Sequence, residues 1–412
     1  MKKLSLIVIV NCLSFISCIA QGTWTQKANF PGTARYDAMS FEIGSKGYII
    51  GGFDGGATFL KDVWEYDAVN NSWTQKQDFI STRWMAVSFS IGTKGYVTTG
   101  SNSSAYYNDL WEYNPTTDTW TQKANLPTLG RNAAVGFSIG NKAYLGIGYD
   151  INSTVMLDFW EYDAVPNSWA QKANFSGGKR SFAFGLSIGT KGYIGTGIDS
   201  SNIPMDDFWE YDPALDTWVQ KAKFAAGKRK DIDGAHFIIG NYGYVGTGYD
   251  PPNLIYYNDF WKYDPSNDSW TQIPNLSASV KVGASGFSIN NKGYICLGVI
   301  FSANPFNDLW EYSPDSTSGI EEIKNKNVPF LGDAQPNPNN GSTQIPYYLP
   351  DGTSNAKIIF TDMLGKIMKE EALKSGYGII NVNTQELPNG VYNYSLIIDG
   401  KVIDNKKMIC NK

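Results

Sequence analysis

The chain has 412 residues, of which 42% are hydrophobic, 14% aromatic and only 18% charged, with a formal net charge of −5. This length admits two or three domains, and the aromatic-rich, charge-poor balance with 42 glycines excludes a coiled coil or a disordered chain and favours β structure. Residues 21–324 carry 23 basic and 31 acidic side chains, the wrong sign for binding a phosphate backbone, so no nucleic-acid partner is expected.

At the N-terminus, Lys2 and Lys3 precede the apolar run LSLIVIVNCLSFIS, and CIA before Gln21 supplies small residues for cleavage after Ala20. Residues 1–20 therefore read as an export signal. No other stretch is long and apolar enough to span a bilayer, so no transmembrane segment is expected in the mature chain. Lipidation of Cys18 is the rival reading, and Phe15 fits that motif poorly. Cleavage removes Cys12 and Cys18 and leaves only Cys296 and Cys410, far apart, so no disulfide framework is expected.

From Thr23 onward the chain repeats. Trp24, Trp73, Trp120, Trp169, Trp218 and Trp270 form one series; Trp64, Trp111, Trp160, Trp209, Trp261 and Trp310 form a second, at a period of about 48 residues. Each period predicts four strands. A hydrophobic alternating run crosses a tight turn, as in MAVSFSIGTKGYVTTG at 85–100, and predicts an antiparallel pair. A variable loop follows, then DLWEYN or DFWEYD as a third strand, then a fourth beginning at Trp, as in WTQK. Four short strands per period is the pattern of a propeller blade. In the first strand of each period, large residues (Met85, Val87, Phe89, Ile91) alternate with small ones (Ala86, Ser88, Ser90), so large is expected to pack on small between blades. The opening TWTQKANF, residues 23–30, is a fourth strand without a first three, and 281–313 is a final repeat without its fourth. Trp24 is thus expected beside Trp310, closing six blades over residues 21–313 and removing a free edge. Twelve tryptophans are spent on this scaffold.

The double-Trp, glycine-punctuated repeat resembles kelch repeats. The pair Gly51-Gly52 keeps the double glycine, which weakens to TTG, GIG, GTG or CLG in the other blades. The resemblance implies an all-β, six-bladed kelch-type β-propeller, a fold that serves protein-binding, carbohydrate-associated and occasionally enzymatic proteins.

After SPDSTSG the period stops, and residues 314–331 read as a polar linker. Residues 332–412 then predict a small antiparallel, immunoglobulin-like β-sandwich. QPNPNNG at 335–341, DMLGK at 362–366, LPNGVY at 387–392 and KKMI at 406–409, in that order, resemble the type A C-terminal sorting domain of the type IX secretion system. The resemblance implies passage through the periplasm, engagement of the secretion machinery, and release to the medium or fixation at the cell surface.

The chain has only five arginines: Arg35, Arg83, Arg131, Arg180 and Arg229. Each follows its fourth-strand tryptophan by 10 or 11 residues, and Lys281 holds the sixth slot. They fall where the inter-blade link enters the innermost strand, which places six cations around one mouth of the channel. In the fifth blade the insert KRKDID puts Asp231, rather than Arg229, in the equivalent slot when counted back from the hairpin. Asp54, Asn102, Asp150, Asp199 and Asp250 follow the second strand, and Asp62, Asp109, Asp158, Asp207, Asp259 and Asp308 precede the third-strand tryptophans by two. These acids either tie the arginines down between blades or leave some of them open to an anionic ligand; both readings remain open at this point. Tyr107, Tyr149, Tyr249 and Tyr257 in the loops of that face are expected to stack on a sugar or peptide.

Catalytic signatures are sparse. His236 is the only histidine and lies in the first-strand run AHFIIG, where it reads as a packed residue. No Ser-His-Asp set, zinc spacing or phosphate-cradling loop appears, so neither metal nor cofactor is expected. The sequence thus points to an exported, monomeric, non-catalytic module that binds a protein or acidic glycan at the Arg/Tyr-rich face. An acidic-sugar isomerase, epimerase or lyase on that face is the enzymatic alternative, and a structural surface or adhesion component is the third.

Overall fold

The computed structural model describes residues 22–230, 234–300, 304–314, 329–332, 334, 341–350, 352–363, 365–385 and 387–410. The readings made for the export signal, for Asp231 and for residues 335–340 of the sorting motif lie outside these. The chain divides into two compact units after Pro314.

The first unit is a six-bladed propeller. Among the described residues it holds six four-stranded antiparallel sheets, five of them in simple sequence order from the centre outward and the sixth with the N-terminal strand as its outermost member. The second blade is representative: Val87–Ile91, Lys94–Thr98, Leu110–Asn114 and Thr119–Lys123. The six innermost strands, Met39–Ile43, Val87–Ile91, Val135–Ile139, Phe184–Ile188, His236–Ile239 and Ser285–Ile289, each contact the next, and the sixth contacts the first. Met85 and Phe182 stand outside these strands, in a left-handed conformation with φ of 49° and 57°; the alternation anticipated from position 85 begins two residues later.

Closure is made by the N-terminal strand. Thr23–Gln26 pairs antiparallel with Leu309–Ser313, Trp24 opposite Tyr312 and Gln26 opposite Trp310. Indole hydrogen bonds then run round the outer wall. Each fourth-strand tryptophan donates from Nε1 to a carbonyl of the preceding blade: Trp73 to Ala28, Trp120 to Gln77, Trp169 to Ala124, Trp218 to Ala173, and Trp270 to Ala222. Trp24 completes the circle on Pro274.

Between blades, large does pack on small. The ring of Phe41 fills the space a Cβ at Gly95 would take, Phe137 does so at Gly192, and Phe287 at Gly47. Here the small partner is a second-strand glycine. The small residues of the first strands, Ser40, Ser88, Gly136, Gly185 and Gly286, line the central channel. The weakened double glycine has a backbone explanation. Its first position is left-handed in every blade, and Thr99, Ile147, Thr196, Thr247 and Leu297 tolerate that conformation. Its second stays glycine: a Cβ at Gly100 or Gly148 would lie within 2.7 Å of a main-chain carbonyl oxygen.

The second unit is a β-sandwich. A three-stranded sheet of Phe330–Leu331, Ser342–Leu349 and Gly376–Asn383 faces a four-stranded sheet of Ile367–Ala372, Ala356–Thr361, Gly390–Ile398 and Lys401–Cys410. Ile345, Leu349, Ile380 and Val382 from the first pack with Ile358, Phe360, Tyr394, Leu396 and Met408 from the second. Phe330–Leu331 pairs with Tyr347 and Tyr348, so the sandwich begins inside the stretch anticipated as linker.

Candidate functional site

The second-to-third-strand loops and the inter-blade links share one face of the propeller, and the six cations lie beneath it. Arg35, Arg83, Arg131, Arg180, Arg229 and Lys281 are all fully buried, at 0% exposure. Each is paired with the aspartate two residues before its own blade's third-strand tryptophan. Arg131 is typical: Nη1 and Nη2 each donate to Asp158 at 2.7 Å, Nη1 also reaches the Ile147 carbonyl, and Nη2 the Thr128 hydroxyl. Arg35 pairs likewise with Asp62, Arg83 with Asp109, Arg180 with Asp207 and Arg229 with Asp259. Lys281 makes a single 2.6 Å bond to Asp308. The second oxygen of each aspartate accepts the Nε1 hydrogen of the tryptophan two residues on, from Trp64 to Trp310.

Rings sandwich two of these cations, and one ring covers each of Arg35, Arg180 and Lys281. The Arg83 guanidinium lies 4.9 Å from the Phe79 ring centre and 3.9 Å from that of Tyr107; Arg229 lies between Phe224 and Tyr257. The main chain adds a second tie: the Arg83 carbonyl accepts from Gly52 of the previous blade, and this recurs around the ring to Arg35, which accepts from Gly298. Burial alone would push Asp62, Asp158 and Asp207 up, but hydrogen bonds and charge from Arg35, Arg131 and Arg180 outweigh it and hold all three below the usual carboxylate range.

Of the two readings left open by the sequence, the acids tie the cations down, and the assignment of Arg35, Arg83, Arg131, Arg180, Arg229 and Lys281 as ligand-binding residues is corrected. A guanidinium that is fully buried and bidentate to a carboxylate presents no accessible surface to an anion, and the Nε hydrogens left without a partner on Arg83, Arg131, Arg180 and Arg229 are enclosed with it. Arg229 occupies the regular slot in the fifth blade, and the insert follows it. Tyr107 and Tyr257 cap arginines and belong to the scaffold. Asp54, Asp150 and Asp199 fold their own loops: the Asp54 carboxylate accepts from the amides of Gly56 and Thr58, that of Asp150 from Asn152 and Thr154, and that of Asp199 from Ser201 and Ile203. Asp250 accepts from Asn253 and is buried.

Tyr149 and Tyr249 do face the loop side. Tyr149 lies 6.1 Å from Tyr106 and 5.8 Å from Phe182, ring centre to ring centre, and the Lys230 ammonium sits 4.8 Å above Phe182. Tyr249 packs on Tyr256 at 4.7 Å. A second cluster joins Phe59, a loop aromatic of the kind the sequence marks for stacking, to Tyr36, Phe53 and Trp84, which it does not mark, at 4.8–6.0 Å. Trp84 is the one tryptophan outside the two repeating series, and that departure was the available signal. All these rings are partly exposed.

His236 is also corrected. It lines the channel in the place held by serine or glycine in the other blades. Below the loop face the channel opens into a cavity of about 90 Å³ whose wall includes Asp37, Ser40, Met85, Ser88 and His236. No group of acidic, histidine or cysteine residues among the described ones has the geometry of a metal site.

The KLHDC2/KLHL20/DRC7 Kelch-repeats domain matches residues 14–181, and the secretion system C-terminal sorting domain matches residues 334–411. The chain thus carries kelch repeats and a type IX secretion sorting domain. No curated protein matches this kelch-repeat chain. Among solved structures it is similar to one described as "Structure of YjhT", at 17% identity and a TM-score of 0.58, covering 69% of this chain and 95% of the other; this likeness bears on the fold alone. The sorting domain marks proteins carried by the type IX system to the cell surface or the medium. Kelch repeats joined to it suggest a secreted protein-binding module.

Proposed function

We propose that this kelch-repeat protein is a non-catalytic recognition module acting at the cell surface or in the medium, and that it holds a protein or glycan partner against the loop face of its propeller. One observation carries the reading. Nine partly exposed aromatic side chains that stand outside the repeating scaffold, Tyr36, Phe53, Phe59, Trp84, Tyr106, Tyr149, Phe182, Tyr249 and Tyr256, gather on that face. Large rings supply contact area at low conformational cost, and loops on a rigid scaffold are where binding resides. With the arginines spent on aspartates, the preference for an acidic glycan loses its main cations; ring contacts take their place.

The test is site-specific photo-crosslinking on the exported full-length chain, with the probe at Leu254 in a loop of this face or at Val165 in a turn of the opposite face; both are well exposed, at 73% and 83%. A crosslinked partner at Leu254 that is absent at Val165 is expected. Equal capture at both, or none at Leu254, overturns the assignment of the face.

A further inference from the structure

Two residues after five of the six buried cations, Arg35, Arg83, Arg131, Arg180 and Lys281, the backbone turns left-handed. Asp37, Met85, Ala133 and Phe182 have φ of 48–57°, and Gly283 takes 57° in the sixth blade. Hydrogen bonds link them into a collar around the channel mouth: the Asp37 amide donates to Gly283, Met85 to Asp37, Ala133 to Met85 and Phe182 to Ala133. Only glycine adopts this conformation without steric cost, and a phenylalanine there is unusual. The sixth blade uses the unstrained residue, whereas the first, second and fourth keep Asp, Met and Phe.

What those side chains frame is chemically mixed. Phe182 continues the row Tyr106–Tyr149 and is topped by Lys230. Buried Asn132 lies 3.4 Å from the Tyr149 hydroxyl and 3.5 Å from the Met85 sulfur, which fixes both. Asp37 and Met85 form the wall of the cavity beneath. Lys230 and Asp37 carry opposite charges, the six ring cations are neutralised, and Asp54, Asp150, Asp199 and Asp250 on the same face are held by amide groups, so the described mouth has no excess of positive charge to favour an acidic ligand. At about 90 Å³ the cavity has room for several waters and admits a hydroxymethyl or acetamido substituent.

Resting on the recognition reading above, we infer that the collar is a saccharide site: an uncharged pyranose unit lies on Tyr149 and Phe182, its hydroxyls face Asp37 and Lys230, and one exocyclic substituent points down the channel toward Ser40, Ser88 and His236. Asn132 is a positioning residue for the tyrosine.

The strain makes the proposal testable without damage to the fold. Phe182→Gly removes the stacking surface while relieving the backbone. The full-length protein is applied to an array of neutral, N-acetylated and uronic-acid oligosaccharides, and hits are measured by calorimetry. Binding of neutral or N-acetylated chains is expected. Phe182→Gly and Tyr149→Ala should each weaken it tenfold or more, with the melting temperature of Phe182→Gly unchanged or raised. Binding that survives Phe182→Gly but is lost in Trp84→Ala places the ligand elsewhere on the face; the inference then falls while the recognition reading stands. Tenfold tighter binding of uronic-acid chains sinks the charge-balance argument. Absence of binding to every oligosaccharide sinks the saccharide site and leaves the face to a protein partner.

Discussion

Trp24 and Pro274 are joined by a 2.9 Å hydrogen bond from indole to carbonyl across 250 residues of sequence. It is the same bond that every other blade makes to its predecessor, formed here by the first strand of the propeller. Trp24→Phe should remove it while keeping most of the ring's contacts with Phe260 and Tyr312, costing about 1 kcal/mol. All thirteen tryptophans lie before residue 311, so denaturation followed by indole fluorescence reads the propeller alone. Trp169→Phe, which loses the equivalent bond to Ala124, should cost the same; a much smaller effect at Trp24 would mean an open ring.

The buried ion pairs should behave as coupled units. Arg131→Met alone leaves Asp158 buried without its cation, and about 3–5 kcal/mol of stability should be lost. Asp158→Asn in the same chain retains an acceptor for the Trp160 indole and should restore much of that loss. A double-mutant cycle in denaturant tests this, and additive single effects would contradict a tight pair.

Acid should unfold the propeller through these same pairs. Asp62, Asp158 and Asp207 have folded-state pKa values held below the ordinary value, about 3.9 for an aspartate. Their contribution is fully present above the unfolded value and is lost as pH falls through the folded ones. Thermal midpoints should therefore be flat from neutral pH to about 5, and fall below about 4. A decline beginning near pH 6–7 would point to other groups.

The sixth blade is the weakest link in the ring. Lys281 makes one bond to Asp308 where an arginine makes two and also reaches a carbonyl, and burial lowers its pKa against the opposing pull of Asp308. Lys281→Arg should add about 1 kcal/mol, read as a rise in the fluorescence-detected denaturation midpoint. A loss would mean that Phe306, 4.9 Å from the ammonium, leaves no room for the larger group.

Packing between blades sets a further test. A Cβ on Gly192 would lie about 2.1 Å from the Phe137 ring, so Gly192→Ala should destabilise by about 1–3 kcal/mol or more. Gly189→Ala, in the adjacent hairpin turn, meets no atom within 4 Å and has only its φ of 59° to contend with, and should cost less.

The six sheets, their strand order and the closing role of Trp24 were legible because each rests on a local pattern repeated six times. The role of the arginines was half legible. Every cation precedes its aspartate by 26 to 30 residues, with the longest gap in the fifth blade where the insert falls. That near-constant spacing was a signal of pairing, but spacing alone does not say whether a pair is dry. His236 escaped for a different reason. In an innermost strand one face meets the neighbouring blade and the other meets the channel, and both are screened from bulk solvent, so alternation does not distinguish them. The left-handed collar left no trace at all, since Met, Ala and Phe do not announce a positive φ.

The antiparallel pairing of Thr23 with Ser313 places the two ends of the propeller where Ser72 and Asp67 stand in the first blade, joined there by the four residues 68–71. A linker of that length between Ser313 and Thr23 should convert the ring into an endless chain. New termini could then be cut in any outer turn, and a circular permutant opened between two other blades should fold to the same propeller.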